Sequence, residues 1–279
     1  MNIYDIAKLA NVSIATVSRV VNNSPKVSPK TKEKVLAVMK ENEYTPNAFA
    51  RGLGLGSMKT VGIICPNIDD IYMAKAVSYL ERNLHAHGYD CILGCSGFKQ
   101  EEKEDYVRLL LSKKIDTLIL VGSTYAGNGK DESDTDYIRE AAEQVSIFMI
   151  NAKVSGDNIY CTYADDFQAT YEVTKAFIRR GKEKILFMYD SESYSARQKM
   201  AGYEAALQDA GYPIRGNLKF KTKNDIEYTR DMLLEYNRTL DFDSVLATED
   251  GIAIGAVKYA KIKELAIPEE LPVAGYNNS

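Results

Sequence analysis

The sequence contains no apolar run approaching the ~20 residues that a membrane-spanning helix needs. Its opening residues, Met1-Asn2-Ile3-Tyr4-Asp5, lack the basic-then-apolar layout of a secretory signal. The chain therefore reads as cytoplasmic, with no membrane partner. Cysteine and histidine are scarce, at four and two residues. Cys65, Cys91, Cys95, Cys161, His85 and His87 show neither Cys-x2-Cys nor mixed Cys/His ligand spacing, which predicts reduced thiols and no structural metal. Cys91 and Cys95 sit four apart on one strand, too far for a disulfide without a bend, and read as core residues. A G-x-S-x-G elbow, a P-loop and a histidine close in sequence to a nucleophile are all missing. Glu249 and Asp250 are adjacent, and adjacent carboxylates rarely converge on one reacting atom. The expectation is a protein with no catalytic residues and no cofactor.

What is present is an ordinary globular composition, 45% hydrophobic and 27% charged. The 279 residues suggest two unequal domains at the usual ~150 residues each. The net charge of −4 is unevenly spread. Residues 1–57 carry eight Lys/Arg against four acids, a net +4, which leaves −8 on the remainder. A small basic head on an acidic body points to a head that meets a polyanion.

The head reads as three short helices. Ile3, Ile6, Ala7 and Ala10 form one apolar helical face, and Asn11 suits a left-handed turn after it. Ser13 is a good N-cap for a second helix over Ile14 to Asn22, with Val17, Val20 and Val21 inward. Ser28-Pro29 announces a third, with Val35, Val38 and Met39 as its core stripe. From Thr60 onward, β-branched runs alternate with amphipathic segments of 12–16 residues. The runs are 60–65, 90–95, 117–121 and 146–150, then 159–161, 184–189, 218–221, 244–247 and 272–275. This is an α/β pattern of parallel sheets covered by helices on both faces. Dividing the two series around Asn151–Asn158 gives two subdomains, with a cleft at the carboxyl ends of their strands.

On the second helix, the inward valines leave Ile14, Ala15, Ser18, Arg19 and Asn22 on the outer face. Short residues around one arginine let a helix lie close to DNA while the fork reaches guanine O6 and N7. Ile14 and Ala15 suit a thymine methyl, and the hydroxyls of Tyr4, Thr16 and Ser18 suit phosphates. A three-helix protein-binding module with a solvated arginine has the same pattern. A resemblance separates the two. Ile3-Tyr4-Asp5-Ile6-Ala7-Lys8-Leu9-Ala10-Asn11-Val12-Ser13 followed by Ala15-Thr16-Val17-Ser18-Arg19-Val20-Val21-Asn22 resembles the helix-turn-helix of the lac-repressor (LacI/GalR) family, with Asn11 where that family usually has glycine. The likeness continues through Val27-Ser28, Lys34-Val35, Tyr44-Thr45-Pro46-Asn47 and Ala50-Arg51. In the body it extends through Val61-Gly62-Ile63-Ile64, Pro66-Asn67, Ala196-Arg197, Ala201-Gly202-Tyr203, Ala253-Ile254-Gly255-Ala256 and Val273-Ala274-Gly275-Tyr276.

The resemblance implies an effector-responsive transcriptional regulator, usually a repressor and a homodimer, that binds double-stranded DNA at a pseudo-palindromic operator. It divides the chain into a helix-turn-helix domain (1–45), a hinge (46–57), and two subdomains (58–156 and 157–279) of a periplasmic-binding-protein-like body. It adds Ser13, Asn22, Asn47, Ala50 and Leu53 to the DNA-contacting set, Leu53 as a minor-groove wedge. For the effector, usually a sugar, it implies Tyr72, Asp165, Lys199, Glu249 and Asn277. Three of these depart from the family: Lys199 replaces an arginine, Glu249-Asp250 an Asn-Asp, and Asn277-Asn278 an Asp-Asp. Lysine loses arginine's bidentate fork. Lys221 and Lys223 read as a solvated strand end. The family's chain continues beyond the position of Ser279, so missing strand and helix material is expected to leave sheet edges and apolar faces uncovered. A cytosolic solute-binding protein and a sugar-processing enzyme are the alternatives; the basic head opposes the first and the missing catalytic set the second.

Gly52-Leu53-Gly54-Leu55-Gly56 imitates half of a dinucleotide-binding fingerprint, but it precedes a strand instead of following one. In the hinge its effect is energetic. Each glycine disfavours helix by ~0.8–1 kcal/mol relative to alanine, so a helix there is expected to be weak, to stop near Leu53, and to form only on DNA. Gly52→Ala and Gly54→Ala should each tighten operator binding by up to about fivefold. Equilibrium titration against operator duplex checks this, and unchanged affinity in both variants contradicts it.

Overall fold

A computed structural model describes residues 1–45, 56–127, 132–236, 239 and 241–278. The head starts on a capping box: the Asn2 side-chain oxygen accepts the amides of Tyr4 and Asp5, and the Asp5 carboxylate accepts the Asn2 amide at 2.9 Å. This begins α1 (Ile3–Leu9). Asn11 takes the left-handed conformation at φ 47°. Ser13 then caps α2 (Ile14–Val21) by accepting the Thr16 amide, and Ser28 caps α3 (Pro29–Glu41) in the same way. Helices this short hold through packing more than propensity. Ile6, Ala7, Ala10, Val17, Val20, Val35 and Met39 supply it in one buried cluster.

The body is α/β, as the alternating pattern predicts. β1 (Thr60–Cys65), α4 (Ile71–Ala86), β2 (Asp90–Cys95), α5 (Gln100–Ser112), β3 (Thr117–Val121), α6 (Asp136–Ala142), β4 (Ser146–Ile150) and β5 (Ile159–Thr162) form the first unit. Its sheet is parallel throughout, in the order β2-β1-β3-β4-β5. The second unit contains α7 (Asp166–Arg179), β6 (Ile185–Tyr189), α8 (Tyr194–Asp209), β7 (Lys219–Lys221), α9 (Ile226–Tyr236), β8 (Ser244–Ala247), α10 (Asp250–Ile262) and β9 (Val273–Ala274). Its sheet is also parallel, in the order β7-β6-β8-β9. Both sheets are covered on two faces: Ile64, Leu118 and Leu120 pack under α5 and α6, and Val61, Ile63 and Ile119 under α4. Phe187 and Leu246 pack under α7 and α8, and Leu186, Val245 and Ala247 under α9 and α10.

The two units share a device at the strand entrances. The Asp116 carboxylate, one residue before β3, accepts the Ser57 hydroxyl and the Met58 and Thr60 amides, each at 3.0 Å. Asp243, one residue before β8, accepts the amides of Glu183 and Lys184 at 2.8 and 3.1 Å. Each aspartate ties the start of a unit's first strand to its neighbour.

Two expectations need correction. The run at residue 159 does not open the second subdomain: Ile147 to Ile150 pair with Ile159 to Thr162, so β5 completes the first sheet and the boundary falls between Thr162 and Asp166. The connection from β4 is too short for a crossover helix, so the sequence reads there like an interdomain break. Nor is Cys95 a core residue. It lies at the end of the edge strand β2 and is exposed, while Cys91 is half-buried. Other apolar side chains also remain exposed, among them Tyr79 on α4 and the stacked pair Phe148 and Tyr160 on β4 and β5, with ring centroids 5.0 Å apart.

The second unit depends on one close approach. A Cβ placed on Gly202 of α8 would lie 2.1 Å from the Phe167 carbonyl oxygen of α7. Backbone cannot yield there as a flexible side chain could. Gly202→Ala should therefore lower stability by about 1–3 kcal/mol, read as a fall in the denaturation midpoint. A midpoint equal to that of the unmodified protein contradicts the packing described here.

Candidate functional site

Two surfaces carry the residues singled out from the sequence. On α2, Ile14, Ala15 and Arg19 are exposed on one side, while Val17 and Val20 are buried on the other. Tyr4 projects from α1 and is also exposed. The Ser13 and Thr16 hydroxyls bond to each other at 2.9 Å, so the helix cap already engages both. Ser18 is half-buried. Asn22 departs from the expected outer face: it is the C-cap of α2, and its side-chain oxygen is buried without a partner among the described residues. Asn47, Ala50 and Leu53 lie outside the described residues.

The second surface is the cleft at the carboxyl ends of the strands, and Lys199 is its hub. The residue is only 3% exposed. Its ammonium donates to the Thr248 carbonyl at 3.0 Å, lies 3.8 Å from Glu249, and sits over the Tyr276 ring at 3.6 Å from the centroid. Burying an ammonium costs several kcal/mol unless it is well partnered, and these three contacts supply the partners. The Tyr276 hydroxyl donates to buried Asp166 at 2.5 Å, and the Asn277 amide donates to Glu249 at 2.7 Å. Asp190 follows β6, Thr222 follows β7 and Thr248 follows β8, so the three leave adjacent strands side by side. The hydroxyls of Thr222 and Thr248 are buried and unpartnered among the described residues. The first unit faces this cluster through Asp70, the N-cap of α4, and half-buried Tyr72. Both are near enough to act electrostatically: Asp70 on Asp190 and Glu249, Asp166 on Tyr72.

Too many carboxylates share too little water. Burial raises the Asp190 carboxyl, with Lys199 opposing and Asp70 adding. Burial likewise pushes Glu249 up from 4.5 to about 7, again opposed by Lys199 and reinforced by Asp190, Asp70 and Asp250. Burial lowers Lys199, and Glu249, Asp166, Asp190 and Asp250 pull it back. The cluster contains carboxylates, hydroxyls and a carboxamide around one fully engaged cation. It lacks a nucleophile with a base and an open metal shell; no metal-binding group of His, Cys, Asp or Glu occurs among the described residues.

Residues 58–278 match the family described as periplasmic binding proteins and sugar binding domain of LacI family, and residues 2–47 match the bacterial regulatory proteins, lacI family. The chain belongs to the LacI family. It is 47% identical over 280 residues to an HTH-type transcriptional regulator of Lachnoclostridium phytofermentans, covering 100% of this chain and 84% of that protein. Catabolite control protein A of Priestia megaterium is 30% identical, with coverage of 100% and 83%. The crystal structure of the lac repressor dimer bound to operator and the anti-inducer ONPF superposes with a TM-score of 0.86 at 23% identity, over 100% of this chain and 83% of that one. The protein is thus a LacI-family transcriptional regulator with a helix-turn-helix head and a body of the sugar-binding type. Among the described residues, no helix is long and apolar enough to cross a membrane.

Of the cleft positions carried over from the LacI resemblance, Lys199, Glu249 and Asn277 converge in direct contact. Tyr72 approaches from the other unit, where it also lines an apolar groove with Ala76, Tyr79 and Ile150. Asp165 is exposed and caps α7 by accepting the Gln168 amide at 2.9 Å; its neighbour Asp166 is the buried partner of Tyr276. Sequence reasoning missed Asp166, Asp190, Thr222, Thr248 and Tyr276. The available signal was their position: Asp190, Thr222 and Thr248 directly follow strands, and Asp166 opens a helix. Lys221 pairs with Glu192 at 3.5 Å and is about half exposed, as a solvated strand end should be.

Burial of the Glu249 carboxyl couples stability to pH. Between about pH 4.5 and about pH 7 the folded protein retains a proton that the unfolded chain has released, so stability falls as pH rises through that window and levels off above it. Glu249→Gln removes this component. Thermal midpoints at about pH 5 and about pH 8 should differ less in the variant than in the unmodified protein. Equal differences contradict the assignment.

Proposed function

We propose that this LacI-family regulator is a cytoplasmic homodimeric repressor that reads a pseudo-palindromic operator and is controlled by a sugar or sugar derivative held between its two subdomains. It would catalyse no reaction. The observation carrying the DNA reading is the exposed Ile14, Ala15 and Arg19 face of α2, seated on a closed core and capped by Ser13. Arg19 takes a guanine edge, and Ile14 and Ala15 a thymine methyl. Tyr4, Ser13, Thr16, Ser18 and Asn22 hold backbone phosphates or fix the helix against them. Asn47, Ala50 and Leu53 extend the contact to the operator centre, where a wedge bends DNA. Two heads related by a two-fold axis require a two-fold site.

For the effector, the supporting observation is the donor and acceptor set of the cleft. Glu249, Asn277, Asp190 and the two unpartnered threonine hydroxyls suit the alternating hydroxyls of a carbohydrate. Because Lys199 is already engaged, we assign it to positioning Glu249 and Tyr276, while Glu249, Asn277, Tyr72 and Asp165 meet the ligand. A sugar that contacts both subdomains biases their relative orientation by its differential affinity for the two arrangements.

Selection of binding sites from random duplex DNA at physiological salt tests the reading. Salt is fixed because non-specific binding depends steeply on it. The expected result is an enriched pseudo-palindrome. Arg19→Ala should weaken binding to it by about 1–3 kcal/mol and relax preference at one position of each half-site. Enrichment of no motif, or an Arg19→Ala variant with unchanged preference, overturns the proposal.

A further inference from the structure

Outside the cleft, two cysteines meet at the end of the first sheet. β1 and β2 pair in parallel with Cys65 opposite Cys95, and the Ser96 amide donates to the Cys65 carbonyl at 3.0 Å, fixing that register beyond the strand end. Register partners in a parallel pair point to the same face. Neighbouring strands lie ~4.8 Å apart, within the ~4.4–6.8 Å Cα separation that a disulfide spans. The Cys65 and Cys95 side chains therefore stand beside each other on one face of the sheet. Cys65 is fully buried and Cys95 exposed, which gives the pair one thiol open to solvent and one beneath it. The other cysteines offer no such pairing: Cys91 lies opposite Val61, and Cys161 on β5 lies opposite Met149.

We propose that Cys65 and Cys95 are a dithiol oxidised by hydroperoxides to an intramolecular disulfide across the ends of β1 and β2. With hydrogen peroxide the exposed Cys95 sulfur attacks one peroxide oxygen, the O–O bond breaks, and Cys95 becomes a sulfenic acid as one water leaves. The Cys65 sulfur then displaces the hydroxyl from the Cys95 sulfur. The Cys65 proton leaves with that hydroxyl as a second water, and the S–S bond forms. Two thiols lose one electron each, and the peroxide takes up both. Burial pushes the Cys65 thiol up to about 12, so the exposed Cys95 is the thiol that meets the peroxide and Cys65 the one that resolves the sulfenic acid. Its position also matters for the cleft. Cys65 leads through Pro66 to Asp70, and Ser96, next to Cys95, hydrogen-bonds the Tyr125 hydroxyl at 2.7 Å.

The test uses the full chain and hydrogen peroxide, followed by thiol blocking in denaturant and tryptic mass spectrometry. The expected result is a fall from four titratable thiols to two, with tryptic segments 60–75 and 83–99 joined at 2 Da below the sum of the two segments with only Cys91 blocked. Dithiothreitol should separate them. Cys91→Ser should retain the link, and Cys95→Ser should lose it. Four thiols persisting, oxidation ending in a Cys95 sulfinic acid with Cys65 free, or a link that survives Cys95→Ser each overturns the proposal.

Discussion

Gly202 lets the backbones of α7 and α8 approach to a distance no side chain would permit, and the cleft's chemistry follows from that contact. The Thr170 hydroxyl of α7 lies against the Lys199 carbonyl of α8 at 2.8 Å, within one turn of Gly202. This fixes the lysine stem at the amino-terminal end of α7, where Asp166 is buried. Gly255 performs a similar service on the opposite face, where a Cβ would crowd Thr229 and the Ile226 carbonyl between α9 and α10. The second sheet is thus held between two glycine-mediated helix contacts, and its carboxyl edge is correspondingly rigid.

That rigidity explains how one cation is sustained inside a ring of carboxylates. A buried ion pair is weak evidence for stability, because desolvation offsets much of the attraction. Here the lysine is satisfied by a carbonyl and an aromatic face as well as by Glu249, and Glu249 is held from its other side by Asn277. The sequence departures from the LacI pattern become intelligible together. Glu249 and Asn277, two of the positions that depart from that pattern, follow the adjacent strands β8 and β9 and are hydrogen-bonded to each other. The Glu249 side chain also lies 3.8 Å from the Lys199 ammonium, so the three departing positions form one connected group. Lysine, a compact point charge on a flexible stem, fits the enclosed position over the Tyr276 ring.

Much of this was legible in the residues. Strands β1, β2, β3, β4 and β8 have the bounds that β-branched runs announced, because buried parallel strands must be apolar on both faces and are punctuated by polar turns. Helix starts were legible where a side chain caps them, at Ser13 and Ser28, whereas the cap at Asp165 was read only as an effector contact. What escaped were features set by partners distant in sequence. β5 resembles the opening of a new unit until its pairing with β4 is seen. Cys95 alternates like a core residue, yet it falls at the end of the edge strand β2 and is exposed. The cleft acids are single residues after strands, without periodicity, and only the sheet order brings Asp190, Thr222 and Thr248 side by side.

A last consequence concerns how the body reaches the head. A regulator needs a mechanical connection at the point where its linker enters the effector-binding unit. Asp116 provides one, since its carboxylate collects the Ser57 hydroxyl and the Met58 and Thr60 amides before β1 begins. The linker's final residues therefore move with the first sheet as a rigid piece and do not trail from it. The same sheet carries Asp70 and Tyr72 at its opposite, carboxyl end, facing the Lys199 cluster. The core of that sheet is close-packed and resists internal deformation. A displacement of the sheet therefore carries Ser57 and Met58 with it, because the Asp116 carboxylate binds them to the base of β3.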